Sequence, residues 1–221
     1  MPGLMLVASF IPLAFSALLP VINPIGSAVL FLTFVSGTDH ATRKSLARTV
    51  ALNTVWFLVV VLLGGTFVLR FFGVSLPVVQ VAGGFVLAAM GWSMLSSPGS
   101  ATATPSVDLS LAGSSVAGKS FYPLTFPLTA GPACVVVTLT LGAHASRGPL
   151  VDVVLAHVGA MIGIALIGVV VYVSYVNADR TTALLSPSTT EGMLRIISFI
   201  LLCIGGEIMW SGIDALVKSV R

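Results

Sequence analysis

The stretch Pro20-Val21-Ile22-Asn23-Pro24-Ile25-Gly26-Ser27 decides how this chain folds. It lies in the middle of residues 1–38, which carry no charged side chain. As one straight helix these residues would reach roughly 57 Å, against a bilayer core of about 30 Å. Something must break the helix, and the break is written into the sequence. Pro24 lacks an N–H and clashes with the preceding turn. It also biases Asn23 away from helical angles. Gly26 permits angles that other residues do not. A second half-helix can then start at Ser27 and run to Phe34.

The rest of the chain shows why such a break matters. Of 221 residues, 57% are apolar and only 8% charged, with ten basic and seven acidic side chains. A soluble domain carries about 25% charge. The mean hydropathy is +1.10. Lipid is therefore the natural surrounding. A net charge of +3 gives no electrostatic footprint for nucleic acid. Two cysteines cannot build a disulfide scaffold. No pair of His, Cys or carboxylate has metal-ligand spacing, so no cofactor or metal is expected.

Charge-free or apolar windows mark six expected spans, at 6–36, 48–70, 74–96, 121–145, 150–175 and 193–217. The N-terminus lacks the basic start of a signal peptide, and its apolar run is too long for one. It is expected to be retained. Trp92, Trp210, Tyr122, Tyr172 and Tyr175 fall near span ends, where amphipathic rings settle at the interface. Trp56 falls inside span 2 and fits no interface. Arg43, Lys44, Arg48, Lys119, Arg180 and Arg195 fall on one side of the membrane. Arg70, Arg147, Lys218 and Arg221 fall on the other. The bias places both termini outside.

Residues 97–120 differ in kind. They are rich in Ser, Ala, Thr, Gly and Pro and read as a flexible linker loop. The loop divides the chain into a three-helix repeat at 1–96 and a second at 121–221. Span 4 carries its own interruption, Pro127-Leu128-Thr129-Ala130-Gly131-Pro132-Ala133-Cys134. Asn23-Pro24 aligns with Gly131-Pro132, each on the first span of its half. Three is an odd number, so the second half enters the membrane upside down. The expected fold is an all-α membrane protein of six transmembrane helices. They form two inverted three-helix repeats, with helices 1 and 4 interrupted.

A broken helix exposes N–H groups at one half-helix start and carbonyls at the other half-helix end. In hydrocarbon these must line a cavity or bind a ligand. A half-helix N-terminus can hold a carboxylate without arginine, and free carbonyls can hold an ammonium. Such a site suits a small zwitterion. Ser27, Thr129, Thr138 and Thr140 could add hydroxyls.

At these residues the sequence resembles the MarC family, which is related to the SnatA-type neutral amino acid transporters. The resemblance rests on Asn23-Pro24-Ile25-Gly26 and Ala130-Gly131-Pro132-Ala133. Ala82-Gly83-Gly84-Phe85-Val86-Leu87, Ile204-Gly205-Gly206-Glu207 and Ser211-Gly212-Ile213 add to it. The chain departs from the family pattern at Ser27, Val29, Ala133 and Glu207. The resemblance implies an inner-membrane, multi-pass protein that transports small neutral amino acids such as glycine and alanine. It also suggests coupling to a proton gradient.

The expected substrate site is Asn23, Pro24, Gly26, Ser27, Gly131, Pro132 and Ala133. Glu207 is the one acid well inside a span and the candidate for proton coupling. His157 reads as a satisfied interface histidine. Gly83-Gly84 and Gly205-Gly206 read as helix-packing positions. The expected partners are a neutral amino acid and the bilayer, and a homo-oligomer is compatible with the sequence. The alternative is a channel or a non-transporting membrane protein. An enzyme acting on lipid would need clustered acids, histidines or arginines, and the chain supplies only scattered singles.

Overall fold

The computed structural model describes residues 2–35, 38–96, 120–146, 148–180 and 187–220. The expected linker at 97–120 lies outside the described residues, apart from its last position. Every described element is helical. Helix α1 is Pro2–Ile22, α2 is Pro24–Phe34, α3 is His40–Phe71 and α4 is Leu76–Ser96. An irregular helical segment, Ser120–Thr129, leads into α5 at Pro132–Ala145. Helix α6 is Leu150–Val176 and α7 is Pro187–Val220. Helices α1, α3, α4, α6 and α7 are long and apolar enough to cross a membrane. The bent pair of Ser120–Thr129 and α5 makes a sixth candidate.

Both expected interruptions are present. The first falls at Asn23, between α1 and α2. The second bends Ser120–Thr129 against α5 by 70°. Its approach is less regular than a half-helix, because Tyr122 and Phe126 hold extended angles. Each precedes a proline, whose ring excludes the helical region for the residue before it.

Two spans are longer than their apolar runs. Helix α3 starts at His40, not near residue 48, because the charged turn continues the helix. Asp39 caps it, its carboxylate accepting from Thr42 N at 3.2 Å. The Thr42 hydroxyl, and then its N–H, hold the exposed Asp39 carboxyl below its ordinary value. Helix α7 starts at Pro187, where a proline suits the first turn. Its charged ends form i,i+4 pairs, Glu191 with Arg195 at 2.7 Å and Asp214 with Lys218 at 2.6 Å. Arg43 reaches Asp179 at 2.8 Å and ties the start of α3 to the chain just past α6.

Lipid-facing surface explains the aromatic that fitted no interface. Trp56 is 71% exposed and points out of the helix assembly. Tyr175 goes the other way. Expected at an interface, it is only 2% exposed and belongs to the core.

The most extensive helix pairing, α4 with α7, crosses between the two sequence halves. It is built backbone to backbone. A Cβ on Gly84 would meet Met209 N and Gly205 O, and one on Gly205 would meet Ala88 N and Gly84 O. A Cβ on Gly91 would meet Leu202 N and Ser198 O, and one on Gly212 would meet Val81 N and Pro77 O. The same contact thus occurs twice. Laying Gly84 on Gly205 carries Pro77, Val81, Ala88 and Gly91 onto Ser198, Leu202, Met209 and Gly212. The two helices run antiparallel, and small residues let them touch. Gln80 Nε2 reaches Thr140 Oγ1 at 3.5 Å, and Gly83 packs on Val136, so that α4 also touches α5. On the opposite side α1 lies on α6, where Gly159 and Gly163 sit against Val7 and Ile11.

Candidate functional site

The first break turns on one residue. Asn23 adopts a left-handed conformation, φ 46 and ψ 66, which asparagine tolerates better than most side chains. It ends α1, with its N–H bonded to Leu19 O at 3.1 Å. It also begins α2, with its Oδ1 accepting from Gly26 N at 3.2 Å. Pro24 occupies the first position of α2, where no N–H is needed. In a continuous helix Pro20 O and Ile22 O would accept from residues 24 and 26. Pro24 has no N–H to give, and Gly26 gives its own to Asn23. Ser27 donates its hydroxyl to Asn23 O at 3.0 Å.

Gly26 is needed for a different reason than the sequence suggested. It lies inside α2 rather than at an unusual angle. Its hydrogen faces the Asn23 carboxamide, and a Cβ there would collide with Nδ2. We expect Gly26→Ala to lower the thermal unfolding midpoint in the wild-type background. In an Asn23→Gly background the same change should cost almost nothing, because the colliding group is gone. Asn23→Gly alone should cost a few tenths of a kcal/mol for the lost cap. Additive effects in this double-mutant cycle would show that the cap and the glycine are unrelated.

The second break lacks such a cap. Gly131, at φ −76 and ψ −177, begins α5 with no side-chain cap. Its carbonyl accepts from Cys134 N at 2.9 Å. Pro132 has no N–H, so the Ala133 N–H is the first at this end without an intrahelical acceptor. A Cβ on Gly131 would lie 2.9 Å from Pro127 O, so the chain can double back closely only with glycine there.

Both breaks face one cavity of about 620 Å³. Asn23 and Ser27 line it from the first break, and Thr129, Gly131, Pro132 and Ala133 from the second. The opposite wall is α4, with Phe85, Val86, Ala89, Met90 and Met94 and the single hydroxyl of Ser93, joined by Leu201 of α7. None of the lining residues carries a formal charge. One side therefore offers backbone and hydroxyl polarity, and the other offers mainly apolar surface.

Residues 8–217 match the family described as MarC family integral membrane protein. The chain belongs to the MarC family. Inner membrane protein MarC of Salmonella typhimurium is 25% identical to it over 212 residues, covering 95% of this chain and 96% of the relative. The MarC proteins of Salmonella typhi and of Escherichia coli strain K12 are similar to the same extent. No solved structure matches the chain.

The cavity of this MarC-family chain gathers most, but not all, of the expected site. Pro24 and Gly26 shape the first break without lining the cavity. Thr138 and Thr140 do not line it either. They donate to Cys134 O and Val136 O of their own helix, at 2.7 and 3.0 Å. Glu207 lies on an exposed face of α7 and is not among the lining residues. His157 is satisfied by Val153 O at 2.8 Å, its Nδ1 carrying the proton in that contact. The apolar α4 wall and the buried Tyr175 were not anticipated. No periodic pattern marks which face of a wholly apolar helix turns inward.

Proposed function

We propose that the chain is a secondary transporter of small neutral amino acids in the inner membrane, working by alternating access. The observation that carries this reading is the convergence of two helix breaks on one uncharged cavity. In this reading the uncapped start of α5 receives the substrate carboxylate, through Ala133 N–H and the helix dipole. The carbonyls left at the end of α1 receive the ammonium. The apolar α4 wall accommodates a hydrogen, methyl or similar side chain. Backbone polarity of this kind suits a cargo that is neutral overall.

The reading includes two inverted repeats of three spans, with the cavity near the membrane midplane. The reciprocal glycine contacts between α4 and α7 support it, because a two-fold axis between those helices generates each contact from its counterpart. Interrupted helices at matching places in two halves are the sequence mark of such transporters. Proton coupling through Glu207 gains no support from its position, and no role is assigned to it.

The test is uptake by purified protein in liposomes. Labelled glycine or alanine should accumulate saturably above empty liposomes and be displaced by unlabelled substrate. Uptake equal to that of empty liposomes for every small neutral amino acid would refute the reading. Uptake that never saturates would favour a channel instead.

A further inference from the structure

Behind the cavity wall, a buried tyrosine joins the two breaks. Tyr175 lies in the last turn of α6 and stacks on Phe31 of α2, with ring centroids 4.5 Å apart. Its hydroxyl is 2.7 Å from Thr129 Oγ1. Its ring therefore meets the helix after the first break, and its hydroxyl meets the segment before the second. Ser27 and Thr129 line the cavity, one after the first break and one before the second, whereas Tyr175 stands behind them.

The protons of this group can be assigned. Each hydroxyl has one to give. Thr129 donates to Leu124 O at 2.6 Å. The Thr129 oxygen therefore faces Tyr175 as the acceptor, and the phenol proton ties α6 to the 120–129 segment. The stacked ring ties α6 to α2.

We propose that Tyr175 is a positioning residue, a shared tie that holds one break against α6 through its ring and the other through its hydroxyl, and that cargo passage requires the hydroxyl to release Thr129. The consequence for passage rests on the transporter reading; the tie itself does not. The hydroxyl acts through Thr129, and its removal loosens the break beside that residue. Cys134 reports on that place. It is 1% exposed, and its Sγ lies 3.8 Å from Thr129 O.

The experiment uses the full chain carrying Cys203→Ser, which leaves Cys134 as the single thiol. The probe is N-ethylmaleimide, and the readout is the rate of Cys134 labelling. Tyr175→Phe keeps the ring on Phe31 and removes only the hydroxyl. It should raise the labelling rate about fivefold, the scale of one lost hydrogen bond. Thr129→Val should raise the rate less in the Tyr175→Phe background than in the wild type, since the Tyr175 contact is already cut there and only the bond to Leu124 O is left to lose. Thr129→Ser keeps the hydroxyl and should label at the wild-type rate. A wild-type rate for Tyr175→Phe overturns the tie. So does a Thr129→Ser variant that labels as fast as Thr129→Val.

Uptake is measured on the same proteins. Tyr175→Phe should change the maximal rate more than the half-saturating concentration, because Tyr175 does not touch the cavity. Equal maximal rates in wild type and Tyr175→Phe overturn the part of the proposal that concerns passage. Absence of uptake by the wild type overturns the transporter reading alone, and the labelling rates then still decide the tie.

Discussion

Ala133→Asp is expected to lose uptake of neutral amino acids by at least about 100-fold while remaining inserted and folded. Two forces act in opposite directions at this position. A carboxylate in the first turn of a helix favours the helix by roughly 0.3–1 kcal/mol. Helix α5 has no side-chain cap to displace, which favours the new carboxylate, while its burial at this position opposes it. The same carboxylate would occupy the wall where the substrate carboxylate is proposed to sit. Placing like charges together costs several kcal/mol, which is the source of the roughly 100-fold expectation. Ala133→Asn has nearly the same shape without the charge and should keep measurable uptake. Initial rates over a range of alanine concentrations in liposomes, together with the unfolding midpoint in detergent, separate the two effects. If the aspartate and asparagine variants transport equally well, the cargo carboxylate does not bind at α5.

The second large effect concerns the seam between α4 and α7. Gly84→Ala and Gly205→Ala should each destabilise the protein by about 1–3 kcal/mol, the scale of overpacking. The added carbon meets backbone in both cases, which cannot rotate aside. Because the contact is reciprocal, the two losses should be similar. Gly206→Ala supplies the control one residue away. A Cβ there meets nothing within 4 Å. Exchanging a helix-interior glycine for alanine should then be neutral or stabilise by up to about 1 kcal/mol. Unfolding midpoints of the purified variants in one detergent measure all three. A Gly206→Ala loss as large as that of Gly205→Ala would mean that the seam is not where the structure places it.

Some features of this chain are local, and local chemistry can be read from sequence. A proline has no N–H wherever it stands, so the breaks at Asn23-Pro24 and Gly131-Pro132 follow from residue type alone. Hydropathy and charge locate the spans, because an ionised side chain is costly in hydrocarbon. Helices α3 and α7 outrun those windows because helix formation does not stop at the membrane surface.

Within the breaks, less could be read. Proline predicts that the helix stops at Asn23, but not that its side chain folds over Gly26. That fold makes the glycine a steric requirement. The hydroxyls of Thr138 and Thr140 looked available beside the second break. Instead they are spent on their own helix carbonyls, the nearest acceptors in an apolar interior.

Sequence by itself determined an all-helical membrane chain, its approximate spans, its two interruptions and the absence of charge within each of them. Tertiary structure alone decided that the two breaks share one cavity, that α4 supplies its apolar wall, and that Tyr175 closes it from behind. The physical reason is that a helix apolar all round carries no amphipathic stripe. Its rotation about its own axis is set only when small residues such as Gly84 and Gly205 let one backbone touch another.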